Sequence, residues 1–186
     1  MVFIRDTELS LRAAVALVNT LPTTDSEGVD RLTTRDEMDA YLVDFPFTGA
    51  MLRDEKELAA VRAIRGPLRA LWDGGRAEAV PLVNAMLRDG RAMPQLVIHD
   101  GYDWHIHATE ENAPLATRIL VEAAMAFVEV IRSDQWDRVR VCDADDCRSV
   151  YIDYSKNGSK RYCDTGNCGN RMNVNAYRRR RARENA

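Results

Sequence analysis

The sequence predicts an α+β protein: a mainly helical N-terminal domain with one β-hairpin, followed by a small module organised around cysteine. Three observations carry this. Apolar residues recur every three or four positions in five separate segments, the period of an amphipathic helix. Asp100-Gly101 sits between two short alternating runs, a strong local hairpin signal. All four cysteines fall within 27 of the 186 residues, from Cys142 to Cys168.

Leu9 to Leu21 reads as the first helix, with Leu11, Val15 and Val18 at helical spacing and Pro22 ending it. Asn19 near its end is a candidate ligand-pocket residue; the alternative is an amide that ties down a neighbouring loop. Thr34-Arg35-Asp36-Glu37 is a capping box, a hydroxyl at the N-cap with a carboxylate three residues on. It opens a helix with Met38, Tyr41 and Leu42 inward. Arg53 to Trp72 is a longer helix with an apolar stripe of Leu58, Val61, Ile64, Leu68 and Leu71. Arg62, Arg65 and Arg69 read as a solvated face paired to Glu55, Glu57 or Asp73, with an anion site as the alternative. Pro67 lacks an N–H and should kink this helix. Gly74-Gly75 turns the chain, and Ala77 to Leu87 is the fourth helix.

Gln95 to Ala108 is the expected hairpin and holds all three histidines, His99, His105 and His107. Residues two apart on a strand share a face, so His105 and His107 point the same way. A second metal site or an acid/base site there is the enzyme alternative; polar residues on a wet face are the plainer one. Pro114 to Arg132 is apolar around most of its circumference, which marks the buried centre of the first domain. Ser133-Asp134-Gln135 is the expected boundary, giving domains 1–135 and 136–186.

Hydrophobic content of 46% and charged content of 30% fit an ordinary globular protein. The stretch from Leu115 to Ile131 is too short to span a bilayer and is interrupted by Arg118, Glu122 and Glu129. Met1 to Asp6 shows neither the basic nor the apolar region of a secretory signal. The expectation is a cytoplasmic protein with no membrane partner, where thiols stay reduced.

The cysteines form two pairs, Cys142/Cys147 and Cys163/Cys168, each C-x4-C. Two close pairs separated by one hairpin's length suit a single tetrahedral Zn²⁺, which takes four thiolates. Two disulfides, or four free thiols, are the alternatives; disulfides need an oxidising compartment.

The neighbouring residues add to this. The second pair ends in Cys168-Gly169-Asn170-Arg171, and Asp153-Tyr154-Ser155-Lys156-Asn157-Gly158-Ser159-Lys160-Arg161-Tyr162-Cys163 precedes it. From Val139 to Arg183 the chain resembles the CGNR zinc-finger family. The first 135 residues resemble the ABATE α+β domain that usually precedes that finger, with Asn19-Thr20 a recurring feature. The resemblance implies a treble-clef finger, Cys142, Cys147, Cys163 and Cys168 as zinc ligands, and a bacterial transcription regulator that binds DNA. No active site is expected in the finger: treble-clef nucleases need a histidine as base or metal ligand, and Cys142 to Ala186 contains none. Met172-Asn173 departs from the family pattern of a small residue and Lys, which removes one positive charge from the helix.

In a treble clef, Cys142 to Cys147 is a knuckle, Val150–Ile152 and Lys160–Tyr162 form a hairpin, and a helix runs from about Asn170 to Ala182. The expected finger core is Val150, Ile152, Tyr162, Val174 and Met172. Gly169 is expected to permit positive φ or close approach beside the metal.

Charge is lopsided. From Arg138 onward, ten Arg and two Lys oppose five Asp and one Glu, a net +6, which leaves −9 on the preceding residues. A basic module on an acidic body favours a polyanion at one end. Lys156, Lys160, Arg161, Arg171, Arg178, Arg179, Arg180, Arg181 and Arg183 are the candidate nucleic-acid contacts. Arg171 is equally suited to bracing the knuckle. The first domain is expected to take a small molecule or a protein partner. A protein–protein adaptor with the finger as a structural clip is the rival reading.

Overall fold

Helix α1 (Arg5–Val18) begins earlier than its apolar stripe suggests. Asp6 and Glu8 in its first turn favour that start, because carboxylates stabilise the positive end of the helix dipole. Helix α2 (Arg35–Asp44) has the expected capping box: the Glu37 N–H donates to Thr34 Oγ1 at 3.2 Å, and the Thr34 N–H donates to Glu37 Oε2 at 3.0 Å. Helix α3 (Glu55–Arg69) is capped by Asp54, contains Pro67, and tightens into a 3-10 turn over Ala70–Trp72. Helix α4 (Arg76–Asp89) follows the glycine pair. Strands β1 (Gln95–Val97) and β2 (His105–His107) pair antiparallel, with Leu96 opposite Ile106. Helix α5 (Leu115–Arg132) packs against α1, α3 and α4.

The computed structural model describes residues 2–98 and 103–184. His99 and the expected Asp100-Gly101 turn lie outside the described residues. Among the described residues, no helix is long and apolar enough to cross a membrane.

The core centres on α5. Leu11, Leu17, Val61, Leu68, Leu71 and Phe127 are fully buried together, and Trp72 meets Phe127 edge-on at 5.1 Å. The arginines of α3 depart from expectation. Arg69 does pair with Asp73. Arg65 is buried, and its Nη1 donates to Asp30 Oδ1 at 2.7 Å and to Thr20 Oγ1 at 3.0 Å. Arg62 reaches the same Asp30 at 3.1 Å. The bidentate arginine holds Asp30 far below the usual carboxylate range. The three arginines thus divide between pinning the α1–α2 connection and a helix-end pair.

The C-terminal part holds β3 (Val139–Val141), β4 (Val150–Ile152) and α6 (Cys168–Glu184). Here the structure corrects the expected hairpin: β4 pairs antiparallel with β3, Val139 opposite Ile152 and Val141 opposite Val150. Lys160–Tyr162 forms no strand, although Asp143 N–H donates to Arg161 O at 3.0 Å. β-Branched Val139, Val141, Val150 and Ile152 suit one half-buried strand, β3, and one fully buried strand, β4.

The expected finger core is corrected as well. Val150 and Ile152 are 0% and 4% exposed, and both belong to the main core with Leu11 and Phe127. Val174 is 46% exposed and contributes no core. Three ties hold β4 and the residues beside it. Asn19 Nδ2 donates to Val150 O at 2.9 Å, and Val150 N–H donates to Asn19 Oδ1 at 2.8 Å. Trp72 Nε1 donates to Tyr151 O at 3.3 Å, and Phe3 meets the Tyr154 ring edge-on at 6.4 Å. Asn19 therefore spends its amide on β4, like a neighbouring strand pairing with it.

Candidate metal centre

The knuckle is built by the β3–β4 ladder. One step beyond the Val141–Val150 pair, Cys142 N–H donates to Ser149 O at 2.9 Å and closes the base of the loop. That closure places Cys142 and Cys147 in one tight loop. The second pair is placed from the other side. Asn167 takes φ 51 immediately before Cys168, the first residue of α6. Asn tolerates this left-handed conformation better than other side-chain-bearing residues. Gly169 does not need its freedom: it lies inside α6 with no positive φ, and an added Cβ would meet the Tyr162 ring at an ordinary 3.7 Å. The positive φ expected at Gly169 is found two residues earlier.

All four thiols are buried, and their sulfurs lie within 4.8 Å of one another. Cys147 Sγ to Cys163 Sγ and Cys163 Sγ to Cys168 Sγ are each 3.7 Å. A tetrahedron of sulfurs about 2.3 Å from a central ion has edges of about 3.8 Å, whereas a disulfide holds its sulfurs about 2.05 Å apart. The set therefore fits a tetrathiolate metal centre, and the cysteines are unbridged.

The electrostatics agree. Burial pushes the Cys142 thiol up, and burial with the neighbouring Cys163 and Cys147 sulfurs pushes Cys168 up to about 12. Burial also opposes ionisation of Cys163, but N–H groups of Thr165 and Gly166 and the sulfurs of Cys168 and Cys142 overcome it and bring Cys163 down to about 7. Four thiols this close resist ionising together, and a divalent cation removes that resistance. Cys163 N–H donates to Cys142 Sγ at 3.4 Å and Ser149 N–H to Cys147 Sγ at 3.5 Å. These bonds orient the donors.

The candidate nucleic-acid contacts separate into two groups. Arg171 braces the centre: its Nη2 reaches Cys168 Sγ at 3.2 Å and Asp146 at 2.9 Å. Arg161 pairs with Asp143 at 3.0 Å, Lys160 with Asp164, and Arg179 with Asp145 at 3.7 Å. The acidic knuckle thus takes three arginines. Lys156, Arg178, Arg180, Arg181 and Arg183 are exposed, with no carboxylate in ion-pair reach among the described residues.

One organising residue does not stand out in the sequence. Asp153 is fully buried and accepts from Ser155 N–H at 2.8 Å and Lys160 N–H at 2.7 Å. Despite burial, those bonds and the Arg138 charge hold its carboxyl below its ordinary value. It shapes the loop that delivers Cys163. The Asp-x-Ser start of the segment is an Asx-turn signal, which could have found it.

In the first domain, His105 Nε2 and His107 Nε2 lie 3.1 Å apart, facing the same cavity as Glu122 of α5. Among the described residues, no group of three ligands forms around them. Burial raises the Glu122 carboxyl to about 7, the Asp6 charge adds to this, and Arg118 opposes it. A carboxyl raised in this way favours the folded state while protonated, and this contribution is lost as pH rises from 4.5, its ordinary value, to about 7. Glu122→Gln is therefore expected to stabilise the protein at pH 8 by up to about 3 kcal/mol, with little difference near pH 4. Melting temperatures of both proteins at the two pH values check this; the Asp6, Arg118 and histidine charges are common to both.

The fold and the centre define a helical α+β domain that carries a buried four-thiolate metal-binding module and a basic terminal helix. The chain belongs to the ABATE family, described as "putative stress-induced transcription regulator", whose model matches residues 11–134. Residues 138–181 match the CGNR zinc finger. Neither description is that of an enzyme. No curated protein matches the chain.

Proposed function

We propose that the four thiolates hold one Zn²⁺ and that the resulting treble-clef finger, residues 136–186, binds DNA. Residues 1–135 act as the sensing domain for a small molecule or protein, and the protein works in the reducing cytoplasm. Zinc is the metal of choice for a closed four-thiolate tetrahedron. It is a structural ion here, with no open position for chemistry.

One observation carries the DNA reading. Helix α6 starts on a metal ligand, Cys168, and its far end exposes Arg178, Arg180, Arg181 and Arg183 without carboxylate partners among the described residues. Seventeen residues make a rod of about 25 Å, long enough to lay those guanidinium groups along several phosphates. Between α6 and the knuckle lies a groove of about 380 Å³, lined by Arg161, Arg179, Arg180 and Arg183 against Asp143 and Asp145. Exposed ion pairs such as Arg161–Asp143 are worth about 0–1 kcal/mol, so a phosphate can displace the carboxylate. Helix α1 touches both functions: the residue that follows it, Asn19, holds β4, and its Asp6 and Ser10 line a cavity of the first domain.

A gel-shift titration of the intact protein on mixed duplex DNA at two salt concentrations, with and without chelator, tests this. Binding should appear at low salt, fall steeply as salt rises, and vanish with chelator. Replacing Arg178, Arg180, Arg181 and Arg183 by Ala should flatten the log–log salt slope by about 0.9 for each phosphate that is no longer neutralised. Failure of the zinc-loaded protein to bind at low salt would favour the adaptor. That second reading rests on Leu96, Ile98 and Trp104 of the hairpin region, which are 67%, 56% and 64% exposed.

A further inference from the structure

A cavity of about 560 Å³ opens in the first domain between the start of α1, the α2–α3 connection, β2 and α5. Its size is that of a small-molecule site. Phe45, Phe47 and Leu9 supply apolar wall, and Asp6, Asp44 and Glu122 supply three carboxylates. Among the described residues, no Lys or Arg lines it.

Glu122 is the informative residue. One helical turn before it on α5 stands Arg118, at the spacing of a helical ion pair. Two of its three guanidinium nitrogens are committed elsewhere: Nε donates to Ala113 O at 3.0 Å and Nη2 to Ala50 O, which holds the loop beside Gly49, while Nη1 is buried without a hydrogen-bond partner among the described residues. Glu122 thus faces the cavity with no hydrogen-bond or ion-pair partner among the described residues. A carboxylate in such surroundings is costly unless a cation meets it. Aromatic walls beside it add attraction for the same charge.

We propose that this cavity binds a small organic cation, a protonated amine or guanidine on a compact apolar body, with the charge on Glu122 and Asp6 and the body against Phe45 and Phe47. The proposal rests on the reading of the first domain as a sensor and names the ligand class. An anionic ligand would meet three carboxylates against the single guanidinium of Arg118, which does not line the cavity, and a neutral one would leave Glu122 unmatched.

The test is saturation-transfer NMR on the zinc-loaded full chain with phenethylamine, tryptamine and agmatine, against 2-phenylethanol and 3-phenylpropionate. The result expected is saturable millimolar or tighter binding of at least one amine, at least tenfold tighter than either non-cationic compound. Glu122→Gln should abolish that preference, and Asp6→Asn should weaken it several-fold. Absence of binding by all three amines would overturn the proposal. Equal binding of the neutral compound, preference for the anion, or an amine preference that survives Glu122→Gln would overturn it too. Saturable binding of a divalent metal that excludes the amines would overturn it in favour of a histidine metal site. None of these readouts depends on DNA, so failure here is distinct from failure of the finger to bind it.

Discussion

Cutting the chain after Gln135 is expected to leave an N-terminal fragment that is soluble poorly, if at all, and melts far below the full protein. Val150 and Ile152 belong to the main core and leave with the cut. Burying each stabilises by about 1.5–3 kcal/mol. The cut also strands the Asn19 amide and Trp72 Nε1, which lose Val150 and Tyr151 as partners; each such hydrogen bond contributes about 1 kcal/mol. The sum is on the order of 5 kcal/mol or more, against a total stability of about 5–15 for a typical domain. A fragment ending at Tyr154 should recover most of this. Thermal melts of the two fragments beside the full chain measure it. Equal melting of the 1–135 fragment and the full chain would show that β4 adds nothing to the first core.

The second large effect is metal removal. Chelation, or Cys163→Ser, should unfold the knuckle, the loop after Asp153 and α6 while leaving β3 and β4 in place. Metal binding supplies about 10–16 kcal/mol of apparent folding energy to isolated zinc-finger peptides. The part that depends on it here has little else: Tyr162 and Met172 are half-buried, and α6 carries Arg178, Arg179, Arg180, Arg181 and Arg183 in solvent. An isolated helix of 17 residues is marginal in water. β3 and β4, in contrast, stay anchored by the main core and by Asn19. Hydrogen exchange with and without chelator reads this residue by residue. Amides of Arg140, Val150 and Tyr151 should stay protected while those of α6 lose protection by several orders of magnitude. If both sets exchange together, the module unfolds as one piece, as a boundary at Gln135 implies.

The difference between those outcomes shows which features are legible in the chain. Periodicity locates the five helices of the first domain, because each depends on local spacing and caps that a sequence displays. The Thr34–Glu37 box and the Asp73 pairing of Arg69 join residues three or four apart, so they are legible too. The four thiols are legible because side chains at two close spacings have few joint uses, and neighbouring sulfurs lie at a tetrahedral edge of 3.7 Å. Arg65 is not, because its partner Asp30 lies 35 residues away. Asn19 stays open for the same reason, with Val150 lying 131 residues on.

Strand pairing is where local pattern misleads most. Val150–Ile152 looks equally able to pair with β3 or with Lys160–Tyr162, since alternation specifies a face and not a neighbour. The choice comes from packing: β4 is buried on all three residues against α1 and its surroundings, a position the charged Lys160-Arg161 could not share.

The sequence by itself determined the helices of the first domain, the gathering of the four thiols and the concentration of positive charge in the last part of the chain, because these are local in spacing or additive in composition. Only the tertiary structure decided which core β4 joins, which arginines the knuckle's carboxylates take, and that Glu122 faces a cavity without a partner among the described residues. Those outcomes depend on groups far apart in the chain competing for the same burial and the same charge, and that competition is resolved only once the chain has folded.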